Sequence, residues 1–329
     1  MTLRVLVAGG GAVGSWVGGA LAAGGARVTL VARGEHGAAV AAAGLTLRGA
    51  GGARIVHVHP TVVARIADAA GLGPFDLTLV AVKSYDTAAL AAELAQAASS
   101  TCVASIQNGV GNEELLAAAL PAIPIIPATL TTGVALIQPG VVEGAAKGGI
   151  GLGRTAGGEA LVADLAAGLE AGGLTVSLFA DAVAMKWSKL LLNLLGSATT
   201  AILDWPPARV FADRRLFEVE RRAWLEALAV MAALGLHPVA LPGYPVPQYA
   251  RLIRRTPPSL LHTLAWRKLA GGRGDRLPGV AADLRAGRPH SEVEVLGGAV
   301  VRAGTAAGVA TPVNRALTEL VTDLAAGRH

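Results

Sequence analysis

The 329-residue chain has one cysteine, Cys102, so no intramolecular disulfide can form. That excludes a disulfide-stapled scaffold and favours a reducing compartment. Aromatic residues make up only 4% of the chain, and the 53% hydrophobic content is carried mainly by Ala, Val and Leu. Such small apolar residues, with 43 glycines, suit helices packed closely on a sheet rather than a disordered chain. The net charge is +5, yet no long Lys/Arg run, zinc-finger spacing or aromatic-rich RNA motif accompanies it. The modest clusters at Arg214-Arg215, at Arg221-Arg222 and at Arg251, Arg254 and Arg255 are expected to be solvated helix faces. No nucleic-acid partner is expected. No internal repeat is present.

Long unbroken hydrophobic runs are also missing. The uncharged stretch after Arg4 is as long as a signal peptide, but Gly9, Gly10, Gly11 and Gly14 interrupt it. It fits a cofactor-binding turn better, and the chain is expected to be cytoplasmic with no transmembrane segment. Cys102 lies in an apolar run and is expected to be a buried strand residue rather than a nucleophile. His57 and His59 alternate along a strand candidate without a Cys or carboxylate at ligand spacing, so no metal is expected. His262 is expected to be structural or at the surface.

What is present reads as a βαβ unit. Leu3–Ala8 is a short apolar strand, followed by a glycine turn, an Ala-rich helix to about Ala23, and a second strand Arg27–Ala32. Further strand candidates are Arg54–His59, Leu77–Val82, Thr101–Ile106, Ile123–Ala128 and Val141–Glu143, with helices at Thr87–Ala98 and Asn112–Leu120. Alternating strands and helices predict a mostly parallel sheet covered on both faces. Beyond about residue 180 the pattern becomes helical: Ala182–Ser197, Arg209–Leu234, Leu260–Ala270, Val293–Ala307 and Arg315–Ala326. Proline-rich segments Leu241–Pro247 and Thr256–Pro258 break the series, and Gly271–Gly274 reads as an exposed loop. The expected fold is an α/β N-terminal Rossmann domain (doubly wound) over residues 1–180 and an all-α C-terminal domain over residues 181–329.

The first strand ends in Ala8-Gly9-Gly10-Gly11-Ala12-Val13-Gly14, a G-x-G-x-x-G turn. Gly9 allows the tight turn, Gly11 lets backbone N–H groups approach a pyrophosphate, and Gly14 permits close helix-to-strand packing. The diphosphate then meets the N–H groups of Ala12 and Val13 at the helix N-terminus. An Asp or Glu at the end of the second strand would bind the ribose hydroxyls of NAD, but this chain has Arg33 there. A guanidinium pairs with a 2′-phosphate, so the expected cofactor is NADPH, with Glu35 keeping NAD open.

Several ordered blocks carry a resemblance. They are Val7–Gly14, Ala32-Arg33-Gly34, Val80–Lys83, Gln107–Glu114, Lys186–Asn193, Asp283-Leu284, Ser291-Glu292-Val293 and Gly308–Pro312. Together they resemble the ketopantoate reductase (2-dehydropantoate 2-reductase) family over nearly the whole chain. The resemblance implies reduction of 2-dehydropantoate to pantoate for pantothenate and coenzyme A synthesis, with Lys189 as general acid. It also implies that Asn108 and Asn193 hold cofactor and substrate, that Glu292 positions one of them, and that Lys83 lies by the cofactor. Lys189 and Asn193 are four apart on a predicted helix and so share a face, where an ammonium beside an amide could bind the oxygens of a keto acid. The chain departs from the family at Ser197, where a second asparagine is common, and at Pro278-Gly279, where a serine is common. Ser197 or Ser291 is expected to supply a replacement hydroxyl in substrate binding.

A paralogous reductase of another 2-keto acid, and a non-catalytic NADP-binding sensor, stand as alternatives. The apolar helical domain permits a homodimer without requiring it.

Overall fold

A computed structural model describes residues 2–52, 55–97, 100–263 and 277–328. The chain divides into two compact units. The first comprises Met1–Gln107, Asn112–Met185 and Leu241–Tyr244; the second comprises Asn108–Gly111, Lys186–Ala240 and Pro245–His329.

The first unit is built on strands β1 (Arg4–Ala8), β2 (Arg27–Val31), β5 (Thr61–Val63), β6 (Leu77–Val80), β7 (Val103–Ser105), β8 (Ile125–Leu130), β11 (Ile150–Gly153) and β12 (Val176–Phe179). Their order across the sheet is β12-β11-β8-β7-β6-β1-β2-β5, and all neighbours are parallel except β11 against β8. The run from β5 to β8 is the doubly wound order of dinucleotide-binding sheets, which reverses direction between β1 and β6. Strand β1 shows why the sheet is covered twice. Val5 and Val7 join one core cluster with Val17 and Leu21 of helix α1 (Ala12–Ala23) and Leu165 and Leu169 of α5 (Glu159–Ala171). Leu6 and Ala8 join another with Leu90 and Leu94 of α3 (Thr87–Ala97) and Leu116 of α4 (Asn112–Ala119). Alternate side chains of one strand thus bury into opposite layers.

Two strand candidates belong elsewhere. Ile55–Val58 (β4) and Val141–Gly144 (β10) form a separate four-stranded sheet with β3 (Leu45–Gly49) and β9 (Val134–Gln138), in the order β4-β3-β10-β9. The periodicity that marks a strand says nothing about which sheet it joins. This sheet covers α1: a Cβ on Gly144 would lie 2.3 Å from the Trp16 ring, and one on Gly19 2.9 Å from a Leu47 methyl. Every residue from Gly14 to Leu21 is therefore buried, as expected of a helix that is apolar all round.

The second unit is helical, but three long helix candidates are each broken. Ala182–Ser197 divides into α6 (Ala182–Leu194) and α7 (Ser197–Leu203), because Gly196 takes a φ of 68°. Arg209–Leu234 divides into α8 (Pro207–Ala212) and α9 (Arg214–Ala233). Between them the Asp213 carboxylate accepts the Arg215 and Leu216 N–H groups at 2.8 and 3.0 Å, starting a new helix. Val293–Ala307 opens instead with a 3-10 turn, Glu292–Val295, before the helix Gly297–Ala306. The proline-rich segment at Leu241–Pro247 leads into α10 (Val246–Arg255), with proline in its first turn where no helical N–H is needed. The chain finishes with helices Gly279–Arg285 and Pro312–Ala325. Residues 258–263 are helical, and the rest of the Leu260–Ala270 expectation, with the Gly271–Gly274 loop, lies outside the described residues. Among the described residues no helix is long and apolar enough to cross a membrane.

Candidate active site

In the first unit, the glycine turn sits where the sheet order reverses. Gly9 has a φ of 115°, and a Cβ there would lie 2.7 Å from the Val82 nitrogen of the chain leaving β6. A Cβ on Gly14 would lie 2.0 Å from the Gly9 carbonyl oxygen. Only glycine lets the turn close on β6 and the helix close on the turn. Gly11 is the N-cap of α1 and makes no side-chain cap bond, and nothing lies within 4 Å of where its Cβ would be. The first-turn N–H groups at Ala12 and Val13 thus have no capping side chain, and open space lies beside Gly11, as an anion-binding helix end needs. Arg33 is exposed at the N-cap of α2 (Gly34–Ala43), at the end of β2.

Lys83 follows β6 as the half-buried N-cap of a 3-10 turn, Ser84–Asp86. Buried polar groups hold that turn. Gln107 Nε2 donates to the Val82 carbonyl at 3.1 Å and to the Thr87 hydroxyl at 2.8 Å. Asn112 Nδ2 donates to the Ser84 hydroxyl at 3.3 Å, and its Oδ1 lies 3.0 Å from the Thr87 hydroxyl.

In the second unit, Lys189 and Asn193 project from α6 one turn apart, both half-buried. Asn193 Nδ2 donates to Asn108 Oδ1 at 3.0 Å. The segment carrying Asn108 is fastened by the Val110 N–H, which donates to the Val295 carbonyl at 3.2 Å. That carbonyl ends the turn that begins with Glu292, which is buried. Loop, helix and turn are therefore brought together around Asn108.

Helix α6 is fixed from other sides. The Val239 N–H donates to the Ser188 hydroxyl at 2.8 Å, and the Trp224 indole N–H donates to the Leu191 carbonyl. The Ser197 hydroxyl donates to the Asn193 carbonyl. Ser291 is the N-cap of the Glu292 turn, its oxygen accepting the Val293 N–H at 3.3 Å. Both serines expected as replacement hydroxyls thus make local backbone bonds. Asp283 is buried and pairs with Arg288 at 3.4 Å.

Sequence reasoning missed Glu220. This α9 carboxylate is 3% exposed and accepts the Gly196 N–H at 2.7 Å and the Thr199 hydroxyl at 2.6 Å. It holds the break between α6 and α7, directly after Asn193. Its signal was present: Phe217, Glu220, Trp224 and Ala227 share one buried helix face, where a lone acid needs a partner. Away from these groups, the His57 and His59 rings meet edge to face at 4.8 Å. His262 Nε2 lies 3.2 Å from the Phe211 carbonyl, and its ring stacks edgewise on Phe217.

Comparison with known proteins follows the two units. Residues 5–157 match the family described as ketopantoate reductase PanE/ApbA, and residues 181–325 match its C-terminal counterpart. A 2-dehydropantoate 2-reductase of Halobacterium salinarum is 32% identical, covering 97% of this chain and 98% of that protein. One of Archaeoglobus fulgidus is 31% identical, covering 98% of each. The crystal structure of a PanE/ApbA family ketopantoate reductase from Ralstonia eutropha is 30% identical, with a TM-score of 0.80 over 98% of each chain. A D-mandelate dehydrogenase solved with NADH and anilino(oxo)acetate has a TM-score of 0.78 over 99% of each chain, but at 20% identity it shares only the fold. With both of its parts matched and full-length relatives above 30% identity, the chain belongs to the ketopantoate reductase PanE/ApbA family of oxidoreductases.

Proposed function

We propose that this protein reduces 2-dehydropantoate to pantoate with NADPH, and that Lys189 is the general acid. The observation that carries the reading is the pairing of Asn193 with Asn108 one turn from Lys189 on α6. An ammonium and two oriented amides suit a 2-keto acid, whose carbonyl and carboxylate oxygens all accept hydrogen bonds.

The residues of the first unit fit the cofactor. Gly9 and Gly14 close a turn that a Cβ would prevent, and open space stands over Gly11 at the helix end. Gly9, Gly11, Ala12, Val13 and Gly14 would hold the pyrophosphate, Arg33 the 2′-phosphate, and Lys83 would lie by the cofactor. When bound, NADPH supplies the hydride.

The protein's own part is placement and proton delivery. Lys189 Nζ gives a proton to the ketone oxygen as negative charge grows there, which completes the hydroxyl of the product. Asn108 and Asn193 orient the substrate, and Glu292 positions cofactor or substrate. Ser197 commits its proton to the Asn193 carbonyl, so toward a substrate hydroxyl its oxygen acts as an acceptor.

The test is NADPH oxidation with 2-dehydropantoate against other 2-keto acids, for wild type and Lys189→Ala. Turnover of 2-dehydropantoate that falls about 10²–10⁴-fold in the variant supports the reading. Turnover confined to another 2-keto acid reassigns the substrate. NADPH binding without turnover of any of them favours a sensor.

A further inference from the structure

One buried hydrogen-bond chain touches the glycine turn from behind. His36, in the first turn of α2, is 9% exposed, and Ser15, in α1, is fully buried. The Gly140 N–H, between β9 and β10, donates to His36 Nδ1 at 3.1 Å. A backbone N–H can only donate, so Nδ1 carries no proton and the neutral ring carries its proton on Nε2. Nε2 lies 2.9 Å from the Ser15 oxygen and must donate to it. The Ser15 hydroxyl then has one outlet, the Gly10 carbonyl at 3.2 Å. The chain Gly140, His36, Ser15, Gly10 thus has a single sense throughout. Burial pushes the His36 pKa down, which suits a neutral ring.

Its end point is the peptide between Gly10 and Gly11. The Gly10 N–H is already tied to the Val31 carbonyl at 2.7 Å. In a trans peptide the carbonyl and the next N–H point in opposite directions. Holding the Gly10 carbonyl toward Ser15 therefore turns the Gly11 N–H the other way. The far end is anchored too, since the Gly140 carbonyl accepts the Thr46 N–H of β3 at 2.8 Å.

We propose that His36 is a positioning residue for the dinucleotide: through Ser15 it holds the Gly10–Gly11 peptide with its N–H aimed at the pyrophosphate. The second sheet, through Gly140, is the buttress of this relay. The proposal rests on the nucleotide-binding reading of the glycine turn.

The test titrates NADPH and NADH into full-length wild type, His36→Phe, His36→Gln and Ser15→Ala, with circular dichroism on each. Both nucleotides carry the pyrophosphate, so the relay acts on either. We expect His36→Phe and Ser15→Ala each to weaken binding about 5- to 10-fold, as loss of roughly one net hydrogen bond requires. Turnover at saturating nucleotide stays within about two-fold, because the relay sets ground-state placement. His36→Gln, with an acceptor and a donor across the same gap, restores affinity to within about two-fold. A role in folding alone would not divide KM from kcat or be rescued in this way. Wild-type affinity in a folded Ser15→Ala variant overturns the relay while leaving the nucleotide reading intact. Failure of wild type to bind either nucleotide overturns both.

Discussion

The Asn193 side-chain amide donates to Asn108 Oδ1 at 3.0 Å, joining residues 85 positions apart. Neither amide can turn without costing the other a partner. Asn193→Ala and Asn108→Ala should therefore be non-additive. A double-mutant cycle on kcat/KM for 2-dehydropantoate is expected to give a coupling of about 0.5–1.5 kcal/mol. Strict additivity would mean that the two amides act separately.

Arg33 is exposed at the N-cap of α2, at the end of β2. Its guanidinium suits a 2′-phosphate, with which it makes charge-assisted hydrogen bonds, whereas a neutral 2′-hydroxyl offers it only a single weaker acceptor. Arg33→Ala should raise KM for NADPH about 10- to 100-fold, matching roughly 1.5–3 kcal/mol for hydrogen bonds to a charged group. KM for NADH should change little. Equal losses with both nucleotides would remove Arg33 from the discrimination.

Glu220 satisfies the Gly196 N–H and the Thr199 hydroxyl from within the helical core. Glu220→Leu strands both donors and should cost about 2–4 kcal/mol in urea unfolding. Glu220→Gln keeps an acceptor for one of them and should cost less. A Glu220→Leu protein as stable as wild type would show that water replaces the carboxylate.

Acid should destabilise the fold through His36. The unfolded chain takes up a proton as pH falls through the ordinary histidine value of 6.5, while burial holds the folded His36 value lower. Between those two values the unfolded state binds more protons, so stability rises with pH there. The contribution is fully present above the unfolded value and is lost as pH falls toward the folded one. Urea midpoints at about pH 7.5 and about pH 5.5 should differ less in His36→Gln than in wild type.

Cys102 should be inert in the native protein. It is fully buried, its thiol donates to the Pro124 carbonyl at 3.2 Å, and burial pushes its pKa up to about 11. Iodoacetamide near pH 8 should modify it only after denaturation, because the thiolate is the nucleophile. Mass spectrometry before and after urea treatment reads the result directly.

Much of this was legible in the sequence where the signal is local. The strand Arg4–Ala8, the glycine turn and the buried helix after it are contiguous, and each glycine has a steric reason within that stretch. The shared face of Lys189 and Asn193 follows from helical spacing alone. The helix breaks at Gly196 and Asp213 were less legible. Apolar periodicity carries on across both, and a positive φ or a side-chain cap is decided by a few atoms. The second sheet was legible only as two isolated strands, β4 and β10, because their pairing with β3 and β9 joins segments as far apart as β3 and β10.

The sequence by itself determined the doubly wound sheet, the glycine turn and the helical second unit, since periodicity and glycine sterics act over a few residues. Only the tertiary structure decided that Asn108 meets Asn193, that Glu220 holds the turn after it, and that Gly140 reaches Gly10 through His36 and Ser15. Each of these is a hydrogen bond between distant segments. Burial demands that such groups be paired, but the chain's order does not say with which partner.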